Sequence, residues 1–151
     1  MADFVAGGAA RTPFGKNQYL RSTQDVKFES YTVAKSTVPS ETIDGTTQKV
    51  LQPGEVMAKI TSGPDAGKIG PFQNDVSVTD GRQTAANIVG INDTFLPWQL
   101  LDRDVEVAVA YEATAVQGWC FERNGAGARI ALSNTTADAM RGTKGLDIHF
   151  K

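Results

Sequence analysis

The chain has 151 residues, of which 40% are hydrophobic and 21% charged, with a formal net charge of −2. That length suits one domain with room for a real core, and the slightly acidic balance gives no polycationic surface for nucleic acid or anionic lipid. A single cysteine, Cys120, excludes an internal disulfide and a thiolate zinc cluster, and no run approaches the ~18 apolar residues of a membrane helix.

The first residues, "ADFVAGGAARTPFGKNQYLRSTQ", mix small residues with isolated aromatics and show no sustained period. Asp3 and the early glycines stand where an export signal would carry its apolar run, so a cleavable leader is not expected. Residues 1–25 read as an extended arm that cannot bury Phe4, Val5, Phe14, Tyr19 and Leu20 by itself and is suited to docking on another chain. Arg11, Lys16, Arg21 and Lys27 outnumber Asp3 and Asp25, a charge density too low for a nucleic-acid tail.

Residues 26–151 read as one β-rich domain. "VKFESYTVA" (26–34) is rich in strand formers, and "STVPSETIDG" (36–45) has an edge-type Pro39 and a turn at Asp44-Gly45. In "EVMAKI", Val56, Ala58 and Ile60 alternate with Met57 and Lys59, which predicts a half-buried strand. "SGPDAGKIGPF" (62–72) resembles a phosphate-cradling loop only in Gly67-Lys68. Ser62 stands where the first glycine belongs, Ile69 replaces the metal-binding hydroxyl, and Gly70-Pro71 is poor material for the helix that must follow. The stretch therefore reads as a hairpin turn, with Lys68 a replaceable surface residue.

"QTAAN" (83–87) suits one helical turn, and "NIVGI" (87–91) a strand behind the Asp80-Gly81 turn. "VEVAVAYEA" (105–113) places Val105, Val107, Val109 and Tyr111 on one face. "GWCFER" and "ARIALS" flank Asn124-Gly125, a hairpin signal because both residues tolerate positive φ. "NTTADAMRG" (134–142) alone reads as a helix, capped by a Thr or Asn and stopped by Gly142. The close, Leu146, Ile148 and Phe150 alternating with Asp147 and His149, is a strand.

Candidate chemistry is thin. Cys120 and the sole histidine, His149, could form a nucleophile–base pair, but Cys120 between Trp119 and Phe121 reads as a small buried hydrophobe. Asp102, Asp104 and Glu106 would share one strand face and could hold a hard cation; three carboxylates with Arg103 among them read better as a solvated face. Gly125-Ala126-Gly127 lacks the third glycine of a dinucleotide loop, since Ile130 occupies it, and Ser133 lacks a nucleophile elbow. No catalytic set, cofactor or metal is expected.

The order "VLQPGEVMAKI…GKIGPF", "TDGRQTAANIVGI", "VEVAVAYEATAVQGW" and the closing "GLDIHF" resembles the lambda D-like head decoration proteins of tailed bacteriophages, over roughly residues 50–151. Thr79-Asp80-Gly81 leading into Ile88-Val89-Gly90-Ile91 is its most specific part. The resemblance implies a compact, mainly β domain with short helical pieces. It implies a capsid cement on the outside of the expanded icosahedral head, made in the host cytoplasm, trimeric at threefold and quasi-threefold positions, and holding the shell against packaged DNA. The implied partners are the major capsid protein of the same phage, two further copies of this chain and neighbouring trimers, with no membrane or nucleic acid. Carried over, the capsid contact falls on the arm, including Phe4, Val5, Arg11, Phe14, Tyr19 and Leu20, and Pro53, Gly54, Asp80, Gly81 and Gly90 are fold-defining. The longer N-terminal half, with "VKFESYTVAKSTVPSETI", departs from the shortest members. The rival reading is a β-rich receptor- or glycan-binding module on a virion surface. Trp98 and Trp119 exposed on one groove would favour it; burial of Trp119 would favour decoration.

Overall fold

In the computed structural model, which describes residues 18–43, 45–143 and 145–151, the 62–72 stretch joins strands β4 (Val56–Lys59) and β5 (Ile69–Pro71) of an antiparallel hairpin. Gly67 adopts φ +95°, and its N–H donates to the Ile60 carbonyl while Ile60 N–H donates to Lys68. The loop is closed on itself by backbone bonds and opens no helix. A turn is what the glycines serve.

The remaining strands, numbered along the chain, are β1 (Lys27–Val33), β2 (Ser40–Ile43), β3 (Thr46–Lys49), β6 (Ile88–Asn92), β7 (Val105–Ala115), β8 (Phe121–Arg123), β9 (Arg129–Ala131) and β10 (Asp147–Phe150). The fold is mainly β with one α-helix, α1 (Asn134–Gly142), among the described residues. The main sheet runs β1-β5-β4-β6-β7-β10. Because β1 also pairs antiparallel with β7, from Lys27↔Glu112 to Val33↔Val105, five of its strands close into a ring. Of the segment 26–43, Lys27–Val33 is thus a member of the main sheet, whereas Ser40–Ile43 pairs only with β3. β2–β3 and β8–β9 are two-stranded ribbons, and β10 lies parallel to the end of β7.

Both faces of the sheet are covered at β4, so that strand is not half-buried as its alternation suggests. Val56, Met57 and Ala58 are all fully buried; Val56 and Ala58 join one apolar cluster and Met57 the other. The first cluster lies under α1, with Phe72, Ile91, Met140 and Ile148. The second gathers Val33, Leu51, Ile69, Val107 and Val109. An apolar/polar period of two is lost wherever a second layer covers the outer face.

Two bulges explain further departures. Lys27 pairs with Glu112 and Phe28 with Ala110, so Tyr111 is an extra residue in β7. Val105, Val107 and Val109 share a face as their spacing predicts, but beyond Tyr111 the side-chain parity flips and Ala113 and Ala115 join the first cluster. In β6, Met57↔Gly90 is followed by Ala58↔Ile88, which makes Val89 the extra residue. Gly90 holds φ +142°, and a β-carbon there would collide with the Ala110 carbonyl oxygen. Only glycine lets β6 and β7 meet.

The helix has the expected bounds, but its cap is Ser133 and not a Thr or Asn: the Ser133 hydroxyl accepts from Thr136 N–H at 3.2 Å. The buried Glu122 carboxylate seconds it, accepting from Ser133 N–H at 2.9 Å. Between β8 and β9 the loop is longer than a two-residue turn. Asn124 Oδ1 accepts from Ala126 and Ala128 N–H, and the left-handed residue is Gly127 at φ +81°, not Gly125. "QTAAN" forms the expected single turn, over Ala85–Asn87.

Candidate functional site

The N-terminal segment is tied to the domain before the arm's expected boundary at residue 25. Tyr19 is 1% exposed, within the first apolar cluster, and its hydroxyl donates to Asp93 Oδ1 at 2.8 Å. Burial and the neighbouring Asp93 carboxylate both push the phenol far above its ordinary pKa. Tyr19 carbonyl accepts from Val116 N–H, Leu20 bridges Ala115, and Arg21 N–H donates to Thr114. Tyr19 therefore does not reach out to another chain as expected, and half-buried Leu20 packs against the same core. Residues 18–21 extend the sheet along the end of β7. Of the other expected arm contacts, Phe4, Val5, Arg11 and Phe14 lie outside the described residues.

The turn residues carried over from the resemblance occupy joints of the fold. Gly54, at φ +101°, donates to Asn92 and accepts from Phe121, which fastens the Pro53-Gly54 corner between β6 and β8. Gly81, at φ +106°, sits against Thr61. Asp80 accepts Thr61 N–H through its carbonyl, and Arg82 N–H and Nε through its carboxylate. Arg82 also donates to the Pro71 carbonyl at 3.1 Å, tying this turn to β5.

The candidate chemical groups are dispersed. Cys120 is 2% exposed and burial pushes its thiol up to about 12, whereas His149 is exposed on β10 beside Asp147 at 2.8 Å. They form no nucleophile–base pair. Asp102, Asp104 and Glu106 do not act together: Asp102 precedes β7 and pairs with Arg103, while Asp104 accepts from Lys35 N–H and Lys68 Nζ. No group of three metal-ligating side chains occurs among the described residues. Lys68 is no idle surface residue, since its ammonium also meets Asp65 at 2.8 Å.

Sequence reading missed the most buried polar feature. Arg123 is fully buried, paired with the equally buried Glu55, and its Nη2 also reaches Glu41 at 3.2 Å. Arg129 joins at 2.6 Å from Glu41 and lies over the Phe121 ring at 4.4 Å. The four charges balance, and they lock the β2–β3 and β8–β9 ribbons to the start of β4. No spacing rule finds them, because partners such as Glu55 and Arg123 are 68 positions apart.

The exposed surface carries two tryptophans in separate hollows. Trp119, 54% exposed, borders one of about 420 Å³ with Gln52, Phe121, Arg129 and Ile130 in its walls. Trp98, 51% exposed, borders another of about 380 Å³ beside β3. Trp119 is not buried, and the two rings do not share a groove. No family model, curated protein or solved structure matches the chain.

Proposed function

We propose that this protein is a capsid decoration protein of a tailed bacteriophage, a trimeric clamp on the outer surface of the expanded head whose N-terminal residues dock on the major capsid protein. The observation that carries this reading is the anchor at Tyr19. Buried Tyr19 and the backbone pairing of Tyr19, Leu20 and Arg21 hold this segment at the end of β7. An apolar-dotted segment held at a fixed point on a rigid sheet suits strand addition to a shell. Three such segments on one trimer multiply weak contacts through effective concentration, so each need contribute only a few kcal/mol.

The order of turn and strand motifs over residues 50–151 supports the same reading, as does a fold in which the charged groups serve as joints. The test is co-sedimentation with expanded capsids of the phage that encodes the chain, with and without residues 2–17. Binding by the full chain, lost on that deletion, together with threefold density on the shell, is expected. Failure to bind expanded capsids, or single-copy or two-fold density, would overturn it.

A further inference from the structure

Trp98 projects from a short turn, Trp98–Leu100, that is pinned at both ends. Leu96 is 2% and Leu101 4% exposed, and Leu96 exchanges both backbone bonds with Leu51. Leu100 and Leu101 N–H close the turn on Pro97 and Trp98. The indole is therefore placed by the backbone, so it loses little freedom when something stacks on it.

Thr46, Thr47, Gln48, Lys49, Leu101 and Asp102 complete the walls of the hollow, which expose more carbon than polar surface, with the hydroxyl, amide and charged groups set among it. Several of these groups are already oriented: Lys49 Nζ donates to the Lys35 carbonyl at 2.8 Å, and Arg103 holds the Asp102 carboxylate at 2.7 Å. The Thr46 hydroxyl and the Gln48 amide bond no other described side chain and are free to donate and accept. One aromatic wall facing neutral hydroxyl and amide groups suits a ligand with an apolar face and many hydroxyls. The ring's electron-rich face attracts the weakly positive C–H face of a pyranose. A wholly apolar ligand would strip water from the Thr46 and Gln48 groups without replacing their hydrogen bonds.

We propose that the Trp98 hollow binds a neutral saccharide, with the indole stacked on one sugar ring while Thr46, Gln48 and Asp102 hydrogen-bond its hydroxyls. The site is separate from the Tyr19 anchor, and it stands or falls independently of capsid decoration.

The chain has two tryptophans, so Trp119→Phe leaves Trp98 as its single indole reporter. That variant is titrated with three probes: hexasaccharides of α-1,4-glucose, β-1,4-glucose and β-1,4-N-acetylglucosamine. A saturable emission change with at least one is expected, at the millimolar affinities of a single stacked ring or tighter. In the otherwise unaltered chain, amide shifts at Thr46–Lys49 should follow the same curve. Trp98→Ala should weaken binding at least about tenfold, and Trp98→Phe should retain most of it. No saturable response to any of the three, or undiminished binding by a folded Trp98→Ala, would overturn the proposal. So would a Trp98→Ala chain that sediments as a smaller species while the parent ignores all three sugars, which would make the hollow a contact between copies.

Discussion

Glu55 and Arg123 meet at full burial: Arg123 Nε donates to one carboxylate oxygen at 2.5 Å and Nη2 to the other at 3.1 Å. Nη1 is satisfied by the Gly127 carbonyl at 3.1 Å, and Nη2 also reaches Glu41. Desolvating two charges is offset only when geometry and surrounding bonds are this complete, and removing one partner strands the other. Arg123→Met should lose about 3–5 kcal/mol in urea unfolding. Arg123→Lys should not restore it, because an ammonium cannot span both Glu55 oxygens and Gly127. The double change Glu55→Met with Arg123→Met should cost clearly less than the two single changes added together; additive losses would show that the pair is uncoupled.

The Tyr19 anchor sets where a truncation can stop. Deleting residues 2–17 should leave the thermal transition nearly unchanged, whereas deleting 2–20 removes a fully buried ring and the bonds to Val116 and Ala115. The longer deletion should cost on the order of 3–5 kcal/mol, the usual penalty for emptying an aromatic site. Tyr19→Phe isolates the hydroxyl and should lose about 1.5–3 kcal/mol, as for a hydrogen bond to a charged acceptor. Equal melting of the two truncations would show that the anchor contributes nothing to the domain.

Much of this fold is legible in the chain because local chemistry fixes it. The β4–β5 turn, the single turn at "QTAAN", the helix after Ser133 and the closing strand all follow from glycine placement, capping and period. What is not legible depends on layers and on distance. The covered outer face of β4, the parity flip at Tyr111 and the ring closure by β1 arise from long-range pairing. The burial of Tyr19 is hidden for the same reason: its neighbours supply no period, and its partner Asp93 is 74 positions away. Of the candidate site, the two tryptophans are visible as residues, but their separation into two hollows is a property of the folded surface.

Gly90 gives the sharpest single-residue test of the sheet. Its φ of +142° disfavours any side chain, and a methyl group would push against the Ala110 carbonyl and Val109. Gly90→Ala should therefore lose about 4 kcal/mol or more, at the extreme of single substitutions, or fail to fold. Gly125→Ala is a poor control because Asp75 crowds it, but Gly118→Ala meets open space and should stay within about 0.5 kcal/mol. A mild Gly90→Ala would mean that β6 and β7 do not meet as closely as described.

Cys120 reports on integrity through its ionisation. Burial raises its thiol from an ordinary 9.0 to about 12, so the folded protein keeps it protonated where the unfolded chain does not. Stability linked to this group is present below about pH 9 and falls as pH rises toward about 12. Iodoacetamide at about pH 8 should leave native Cys120 unmodified for as long as the fold persists, and should alkylate it promptly in urea. Rapid alkylation of native protein would contradict its burial.

The Lys68 clasp makes a prediction about acid and salt. Hydrogen bonds donated to Asp104 and then to Asp65 raise the ammonium to about 12, and the same contacts hold both carboxyls below their ordinary value of 3.8. For the two acids, the folded form binds a proton less readily than the unfolded chain. Their contribution is present above the ordinary carboxylate range and is lost as pH falls through it; the lysine's is lost only as pH rises through about 12. The 2.6 Å contact joins the β4–β5 turn to the residue before β7 and the 2.8 Å contact closes the turn on itself, but each partner is about one-third exposed. Solvent and salt therefore screen them. Lys68→Met should lower the melting temperature at about pH 7 in low salt, with the deficit shrinking in about 1 M salt and at about pH 3, where the parent has lost the same contacts. A deficit that ignores both pH and salt would mean that Lys68 contributes through packing of its stem and not through its charge.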